Sequence, residues 1–453
     1  MAPAALVRGI IFALAAALAL TQTALAHEAG SGDSVSLLRD TEIEGDIHTV
    51  MTPIWEAAGL DPDAVHVYVV SDDRINSFVT SGQNIFINSG LLLHADAPNQ
   101  LIGVLSHETG HIAGGHISRG AEAMRNASIE EIIAMAAGVA ATVASRGGGG
   151  ALLAAAGVGQ RAYFAFSVTQ EATADHAAMN YLDDTHQSAR GLLQFFEKLQ
   201  TQELLIGEHE DPYLMDHPLT QERIAYVRDH VERSPYSNVP DPPRYVEILQ
   251  WIKVKLAAFT EPPVSTLEKF PAQDRSVLAR YARAITEYRI PDLDKALPTI
   301  DELIRDYPRD PYFRELKGQM LFENGRIPEA VQPYEQAMRL NPGAPLLRIE
   351  LAQVYIENND PTQNKRAIAY LSGALQTEDK DVEAWHMLAT AYGRDNQIGM
   401  AALSLAEEGL ASDNKKNALS QAARAEHLLP KSSAAYARAQ LIHSQAKELD
   451  GSD

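Results

Sequence analysis

The stretch that decides the fold reads His-Glu-Thr-Gly-His at residues 107–111 and follows apolar residues at positions 101–105. These apolar residues recur at helical spacing, and residues four apart lie on one face of a helix. His107 and His111 can therefore bind one metal ion with both imidazoles. Glu108, about 100° round the helix from His107, can reach a water molecule on the open side of that ion. The motif predicts a zinc hydrolase, and the competing interpretation is a structural pair of histidines.

The amino terminus has the pattern of a secretory signal. Residues 1–26 contain one charged residue, Arg8, then an apolar run at 9–20 and the sequence Ala-Leu-Ala at 24–26. This pattern predicts cleavage before His27. A membrane anchor, the alternative, would need about 20 apolar residues. Because the chain has no cysteine, it has neither disulfides nor a site for lipid attachment at cysteine. We expect a bacterial periplasmic protein.

Charge and length limit the function classes. The net charge is −22, and removing Arg8 with the signal would change it to −23. An acidic chain of this kind disfavours nucleic acid as a partner. The remaining length of about 427 residues predicts two or three domains, each able to bury its own core.

A helix is predicted from Leu37 to Ala58, followed by two or three strands before the motif helix. The strand runs are 65–70 and 84–88, with a further β-rich segment between them. Strands at such a position can present an edge to which an extended peptide adds itself, here near Asn76 to Asn88. The same strands could also serve only as core structure.

The segment 129–160 consists of two small-residue stretches separated by four consecutive glycines at 147–150. Neither stretch is long enough to span a bilayer. The pattern predicts two helices joined by a flexible loop, which form a buried hairpin or a mobile cover over the active-site cleft. The alternative is a helix pair in peripheral contact with a membrane surface.

A third metal ligand is predicted where a helix resumes beyond this segment. Glu171 and Asp175 are four residues apart and share a helix face, which suits one carboxylate ligand and one carboxylate that orients a metal-bound imidazole. The metzincins, another class of zinc peptidase, would require a third histidine at position 117, which is Ile117. His116 is one residue short of that position, and it is predicted to be a structural or surface residue.

These motifs resemble those of the M48 metallopeptidases, which combine a His-Glu-x-x-His helix with a Glu-x-x-Ala-Asp helix. The resemblance covers residues from about Leu37 to Val231. It implies one Zn²⁺ per chain held by His107, His111 and Glu171. It further implies Glu108 as the catalytic base, with Asp175 orienting a ligand.

His217 and Arg223 follow in a His-Pro loop and on the helix after Pro218. The M48 family has such a His-Pro followed by an Arg near the zinc, so the resemblance implies catalytic roles for both. Two interpretations of His217 remain open. Its imidazole fills the open metal position and holds the enzyme at rest, or it helps Arg223 stabilise the oxyanion that forms on the scissile carbonyl.

The carboxyl-terminal half repeats itself every 34 residues, the period of tetratricopeptide repeats. In the clearest unit, the consensus positions hold Gly318, Ala330, Tyr334, Ala337 and Pro342. Three or four repeats are predicted, with a register shift near residue 361 and degenerate last units. An ordinary helical bundle is the alternative.

The predicted fold class is α+β and mostly α, with a zincin-type domain containing a small sheet and then an all-α tetratricopeptide-repeat solenoid. The predicted bounds are 1–26 for the signal peptide, 27–231 for the peptidase domain, 232–275 for a linker with connecting helices, and 276–445 for the repeats. The chain thus resembles M48 proteases of outer-membrane quality control. This resemblance implies unfolded outer-membrane proteins as polypeptide substrates and docking of the barrel-assembly machinery on the repeats. The alternative is a chaperone or scaffold of outer-membrane protein assembly with little proteolytic activity.

Overall fold

The computed structural model describes residues 36–80, 82–116, 152–206, 213 and 217–450. The predicted signal peptide at 1–26 and the glycine-rich segment up to residue 151 lie outside these described residues. Among the described residues, no helix is both long and apolar enough to cross a membrane.

A four-stranded sheet lies beside the motif helix. Its strands are β1 (Leu37–Leu38), β2 (His66–Val70), β3 (Ser77–Thr80) and β4 (Asn84–Asn88). Their order across the sheet is β1-β2-β4-β3, with β2 and β4 parallel and the two outer strands antiparallel to their neighbours. Alternate residues of β2 and β4 are buried in the apolar core. Since β3 is at one end of this order, it forms one edge of the sheet.

The first helix is shorter than its pattern predicts. Leu37 and Leu38 pair with β2 as an edge strand, and the helix begins only at Thr41. Asp40 accounts for this boundary, because its extended backbone and its side chain, which accepts a hydrogen bond from the Ile43 amide, cap the helix. The sheet therefore contains one more described strand than the sequence predicts.

The described residues before the repeats form eight α-helices, several of which pack on the sheet or on the motif helix. They are α1 (Thr41–Ala57), α2 (Ser89–His94), α3 (Pro98–Ala113), α4 (Leu152–Asp184), α5 (Arg190–Ile206), α6 (Gln221–Arg233), α7 (Pro243–Thr260) and α8 (Pro263–Lys269). The motif helix α3 approaches α4 closely at Gly110, where a Cβ atom would lie 2.8 Å from the carbonyl oxygen of Ala174. This close approach brings the histidines of α3 next to the carboxylates of α4.

The carboxyl-terminal half is a series of helix pairs, as the 34-residue period predicts. The pairs are α9 (Val277–Arg289) with α10 (Leu293–Asp306), α11 (Tyr312–Glu323) with α12 (Ile327–Leu340), α13 (Pro345–Glu357) with α14 (Pro361–Ala374), α15 (Val382–Arg394) with α16 (Ile398–Ala411), and α17 (Lys415–Leu428) with α18 (Ala434–Asp450). The α+β, mostly helical fold class is confirmed. The interval from α13 to α15 is the longest between successive first helices and contains the predicted register shift.

The repeat positions have the predicted packing. A Cβ atom at Gly318 would lie 2.5 Å from the ring of Tyr334, so only glycine allows this helix pair to close. The described residues include five pairs, one more than the upper prediction. The last pair lacks the large consensus residues and is lined instead by small buried side chains, including Ala418, Ala422 and Ala425.

Helix α7 joins the two halves. Ile248, Leu249, Ile252 and Leu256 belong to the core around the sheet, and Val254 and Ala258 belong to the core of the first repeats. Residues 232–275 were predicted as a linker and connecting helices. On the same helix, the buried Lys255 forms ion pairs of 2.8 Å with Asp40 and 2.9 Å with Glu42. Glu42 also accepts a 2.7 Å hydrogen bond from the hydroxyl of Tyr281 on the first repeat helix. The repeats therefore pack directly on the amino-terminal half.

Candidate metal centre

Two helices contribute the first three donors of the site. His107 and His111, one turn apart on α3, bring their Nε2 atoms to 3.0 Å from each other. Glu171 on α4 places its carboxylate oxygens 3.2 Å from the Nε2 of His107 and 3.3 Å from that of His111. All three side chains are buried. The predicted set of two imidazoles and one carboxylate is thus assembled.

His217 adds a fourth donor from the loop before α6. Its Nδ1 lies 3.4 Å from the Nε2 of His107 and 3.3 Å from the carboxylate of Glu171. Among the described residues, these four side chains form the group that could hold a metal ion, with all donor atoms within 4.8 Å of one another. Tetrahedral zinc, with bonds of about 2.0–2.2 Å, requires donors about 3.3–3.6 Å apart. The chemistry and spacing of this donor set fit zinc.

Asp175 and Arg223 lie behind the donors. The Nδ1 of His107 is 2.9 Å from Oδ1 of Asp175. The Arg223 guanidinium donates to both oxygens of Asp175 at 2.7 and 2.9 Å and contacts Glu171 at 2.9 Å. The charges of Arg223 and His107 and their hydrogen bonds outweigh burial and lower the pKa of Asp175. Arg223 therefore faces these carboxylates, whereas the sequence analysis expected it beside the substrate oxyanion.

Glu108 lies beside the four donors, and only one of its two carboxylate oxygens accepts a hydrogen bond from a described residue. Its Oε1 accepts a 3.0 Å hydrogen bond from the Ser77 hydroxyl and lies 3.5 Å from Nε2 of His217. Its Oε2 is buried and has no hydrogen-bond partner among the residues that the structure describes. Burial raises the pKa of this carboxyl above its ordinary value. A carboxylate with these properties can accept a proton from a water molecule in the site.

Comparison with known proteins agrees with this geometry. Residues 41–231 match peptidase family M48. This segment is similar to the zinc metallopeptidases of that family. Residues 266–406 match the TPR domain of cytochrome c-type biogenesis protein H. The predictions of a zinc metallopeptidase followed by tetratricopeptide repeats are confirmed, and a peptidase of this family acts on polypeptides.

Several relatives match this chain over most of its length. The chain is 23% identical over 389 residues to the beta-barrel assembly-enhancing protease of Yersinia pestis, covering 83% of this chain and 78% of that protein. It is 22% identical over 354 residues to the Escherichia coli K12 protein of the same name, covering 76% and 71%. The metalloprotease LoiP of Escherichia coli K12 is 30% identical over 166 residues, covering 36% and 61%.

Protonation differs between the two histidines of the M48 motif. Burial opposes the charged form of His107, but its hydrogen bonds to Asp175 and Glu171 outweigh burial and raise its pKa to about 9. In His111, burial dominates and lowers the pKa to about 3. Hydrogen bonds from the histidines outweigh burial and lower the pKa of Glu171. Without metal, a proton on His107 therefore neutralises part of the negative charge of the site.

His116 contacts the M48 motif in a way that the sequence analysis missed. The sequence analysis predicted that His116 is either a structural or a surface residue. The second alternative is wrong, because the side chain is buried. Its Nδ1 lies 2.9 Å from the Nδ1 of His111. The helix ends at Ala113, so the position of His116 does not follow the helical spacing of the motif. The available signal was a histidine separated from the motif by the helix-ending pair Gly114-Gly115.

Proposed function

We propose that the chain is a periplasmic zinc endopeptidase that hydrolyses misfolded or stalled outer-membrane proteins. The buried carboxylate of Glu108 beside four converging donors carries the peptidase part of this proposal. The relatives named beta-barrel assembly-enhancing protease, which match both halves of the chain, support the substrate class. The predicted signal peptide supports the compartment.

In this proposal, His107, His111 and Glu171 hold the zinc ion and Asp175 orients His107. Bound zinc would supply Lewis-acid chemistry, lowering the pKa of a water molecule and polarising the scissile carbonyl. Glu108 takes the proton of the attacking water with its Oε2 and returns it to the leaving amine. The Ser77 hydroxyl fixes the other oxygen and so orients the carboxylate.

Strand β3 is the proposed binding edge for an extended substrate. The sequence analysis placed this edge between Asn76 and Asn88, but β4 lies between β2 and β3 and cannot accept another strand. Ser77 on β3 contacts Glu108 through its side chain and His217 through its carbonyl oxygen, at 3.2 Å from Nε2. A peptide paired with β3 would therefore run past the catalytic carboxylate.

His217 is proposed to hold the enzyme at rest. A catalytic zinc site keeps one position open for water, whereas here an imidazole supplies a fourth donor. Movement of His217 would open that position. His217→Ala in the full chain should raise basal casein cleavage and self-cleavage. A folded, zinc-loaded His217→Ala protein with reduced casein turnover would instead support a role at the oxyanion.

For Arg223 we propose a positioning role. Its guanidinium is committed to Asp175, Glu171 and the carbonyl oxygen of Pro218, at 3.0 Å. Because these contacts lie behind the donors, Arg223 acts on the reaction through the ligands that it holds.

The repeats are proposed to bind unfolded clients or the barrel-assembly machinery. We propose domain bounds of 27–231 and 276–445, with α7 between them packed on the peptidase core. A scaffold with little proteolytic activity is the second candidate, favoured by the four protein donors, since structural zinc sites are closed in this way.

The mutation Glu108→Gln tests whether the chain is an endopeptidase or a scaffold. The amide cannot accept the proton, and Glu108 is not among the converging donors, so zinc content should remain at wild-type level while casein cleavage falls by several orders of magnitude. Zinc should be measured by metal analysis of the same sample. Equal cleavage by Glu108→Gln and the wild type would refute the assignment of Glu108. Zinc-loaded wild-type and His217→Ala proteins that both fail to cleave casein would favour the scaffold.

A further inference from the structure

We propose that His116 is a positioning residue of the metal centre, which acts by accepting a hydrogen bond from His111. The inference rests on the proposed zinc site and assigns a partner to its second histidine. The two Nδ1 atoms are 2.9 Å apart, and both rings are buried, with 7% of His111 and 5% of His116 exposed. At this distance one nitrogen carries a proton and the other offers a lone pair.

The direction of this hydrogen bond follows from the other side of the His111 ring. Its Nε2 faces the metal position, 3.0 Å from Nε2 of His107 and 3.3 Å from Glu171. A metal-binding nitrogen must offer its lone pair, so the ring proton of neutral His111 lies on Nδ1. Nδ1 of His116 is then the acceptor. This contact selects the tautomer of His111 that binds metal and fixes the orientation of its ring.

The local backbone is built to return His116 to this place. Helix α3 ends at Ala113, and Gly115 has a φ of +62°, which reverses the chain direction. A Cβ atom at Gly114 would lie 2.5 Å from Nε2 of His116, so a side chain there would collide with the imidazole. The side-chain amide of Gln170 donates to the carbonyl oxygen of His116 at 3.2 Å. This bond ties the turn to α4 immediately before Glu171.

His116 completes a pattern among the three imidazoles of the site. The second nitrogen of His107 faces Asp175, and that of His217 faces the carbonyl oxygen of Ser77. His111 is oriented in the same way, but by a neutral ring instead of a carboxylate or carbonyl. Loss of such an orienting partner lowers metal affinity about 10–100-fold.

The test compares two amides that differ in the position of their acceptor. In His116→Asn, Oδ1 can occupy the place of Nδ1, whereas in His116→Gln the oxygen lies farther out, near the place of Nε2. Zinc affinity of the full-length protein is measured by competition with a chromophoric chelator. We expect His116→Asn to bind within about threefold of wild type. We expect His116→Gln and His116→Ala to bind about 10–100-fold more weakly.

Two further measurements separate positioning from general packing. Urea unfolding of the metal-free proteins should give similar midpoints for His116→Asn and His116→Gln, because both bury a similar amide. His386→Asn, at an exposed histidine of the repeats, should match wild type in both assays. Equal zinc affinity of the Asn and Gln variants, or wild-type affinity of the Ala variant, would overturn the inference. A wild-type protein without stoichiometric zinc would overturn the proposed function as well.

Discussion

Replacing Asp175 by alanine tests how the peptidase core supports its metal ligands. The mutation removes the acceptor for His107 and the partner that receives two hydrogen bonds from Arg223. Arg223 is 3% exposed, so its charge cannot turn to solvent. It keeps Glu171 at 2.9 Å and the carbonyl oxygen of Pro218 at 3.0 Å. The guanidinium is thus partly, but not wholly, deprived of its partners.

The size of the effect follows from these contacts. Removing one member of a buried ion pair costs about 3–5 kcal/mol. Because Arg223 retains Glu171, we expect a value near the lower end, about 3 kcal/mol, in the free energy of unfolding of the metal-free peptidase core. The loss of orientation at His107 should also weaken zinc binding about 10–100-fold.

Urea unfolding can be followed through Trp55, which is fully buried in this core, after Trp251 and Trp385 are replaced by phenylalanine. Thr173→Ala, at an exposed position of the same helix, is the control. The pKa of Asp175 is lowered on folding, so its contribution is present above its ordinary value of 3.8 and is lost as pH falls below that value. The difference between Asp175→Ala and wild type should therefore shrink below about pH 4. Equal unfolding midpoints and equal zinc affinity at pH 7 would refute this reasoning.

Three further predictions concern the ligand set, protonation and the domain boundary. Glu171→Ala should lose zinc on dilution, and metal analysis showing wild-type affinity would mean that another carboxylate holds the ion. Because the pKa of His107 is raised to about 9, zinc binding at pH 7 should release a proton from this residue. Calorimetry in buffers of different ionisation enthalpy should detect the released proton. If no proton is released, His107 is not protonated in the metal-free protein. By the same linkage, the stabilisation that His107 gives the metal-free protein is present below pH 6.5 and is lost as pH rises through about 9. A chain ending at residue 262 should remain folded and cleave casein. A chain ending at residue 231 lacks the buried residues of α7 and should unfold at a lower urea concentration. Equal urea midpoints of the two chains would show that α7 is dispensable.

Local periodicity was enough to predict the motif helix, the carboxylate pair and the repeats. His107 and His111 are four residues apart on a helix, as are Glu171 and Asp175, and helical geometry alone places each pair on one face. The repeats follow from small residues at fixed intervals, such as Gly318 against Tyr334. These relations depend on short distances along the chain.

The features that sequence reasoning missed depend on long-range packing or on how a helix ends. The position of His217 depends on a loop that meets α3 and α4 only in the folded protein, so two roles remained open. His116 reaches His111 because the chain reverses at Gly115, which a continuous helical wheel cannot represent. Likewise, α7 was assigned to a connecting segment because its partners in the peptidase core, α1, α2 and α3, lie more than a hundred residues earlier.

The contacts of Lys255 and Tyr281 with Glu42 fix how the repeats lie against the peptidase core. A rotation of the repeats relative to the peptidase core would break the hydrogen bond between Tyr281 and Glu42. It would also disturb the buried ion pair of Glu42 with Lys255, which is energetically costly. The repeats are therefore held at a fixed distance from the peptidase core, unlike a module on a flexible linker that samples many distances. For a client anchored on the repeats, the number of residues between its anchor and the edge strand β3 would decide which peptide bond reaches Glu108. Lengthening that spacer should move the cleavage position along the client by the same number of residues, whatever the local sequence.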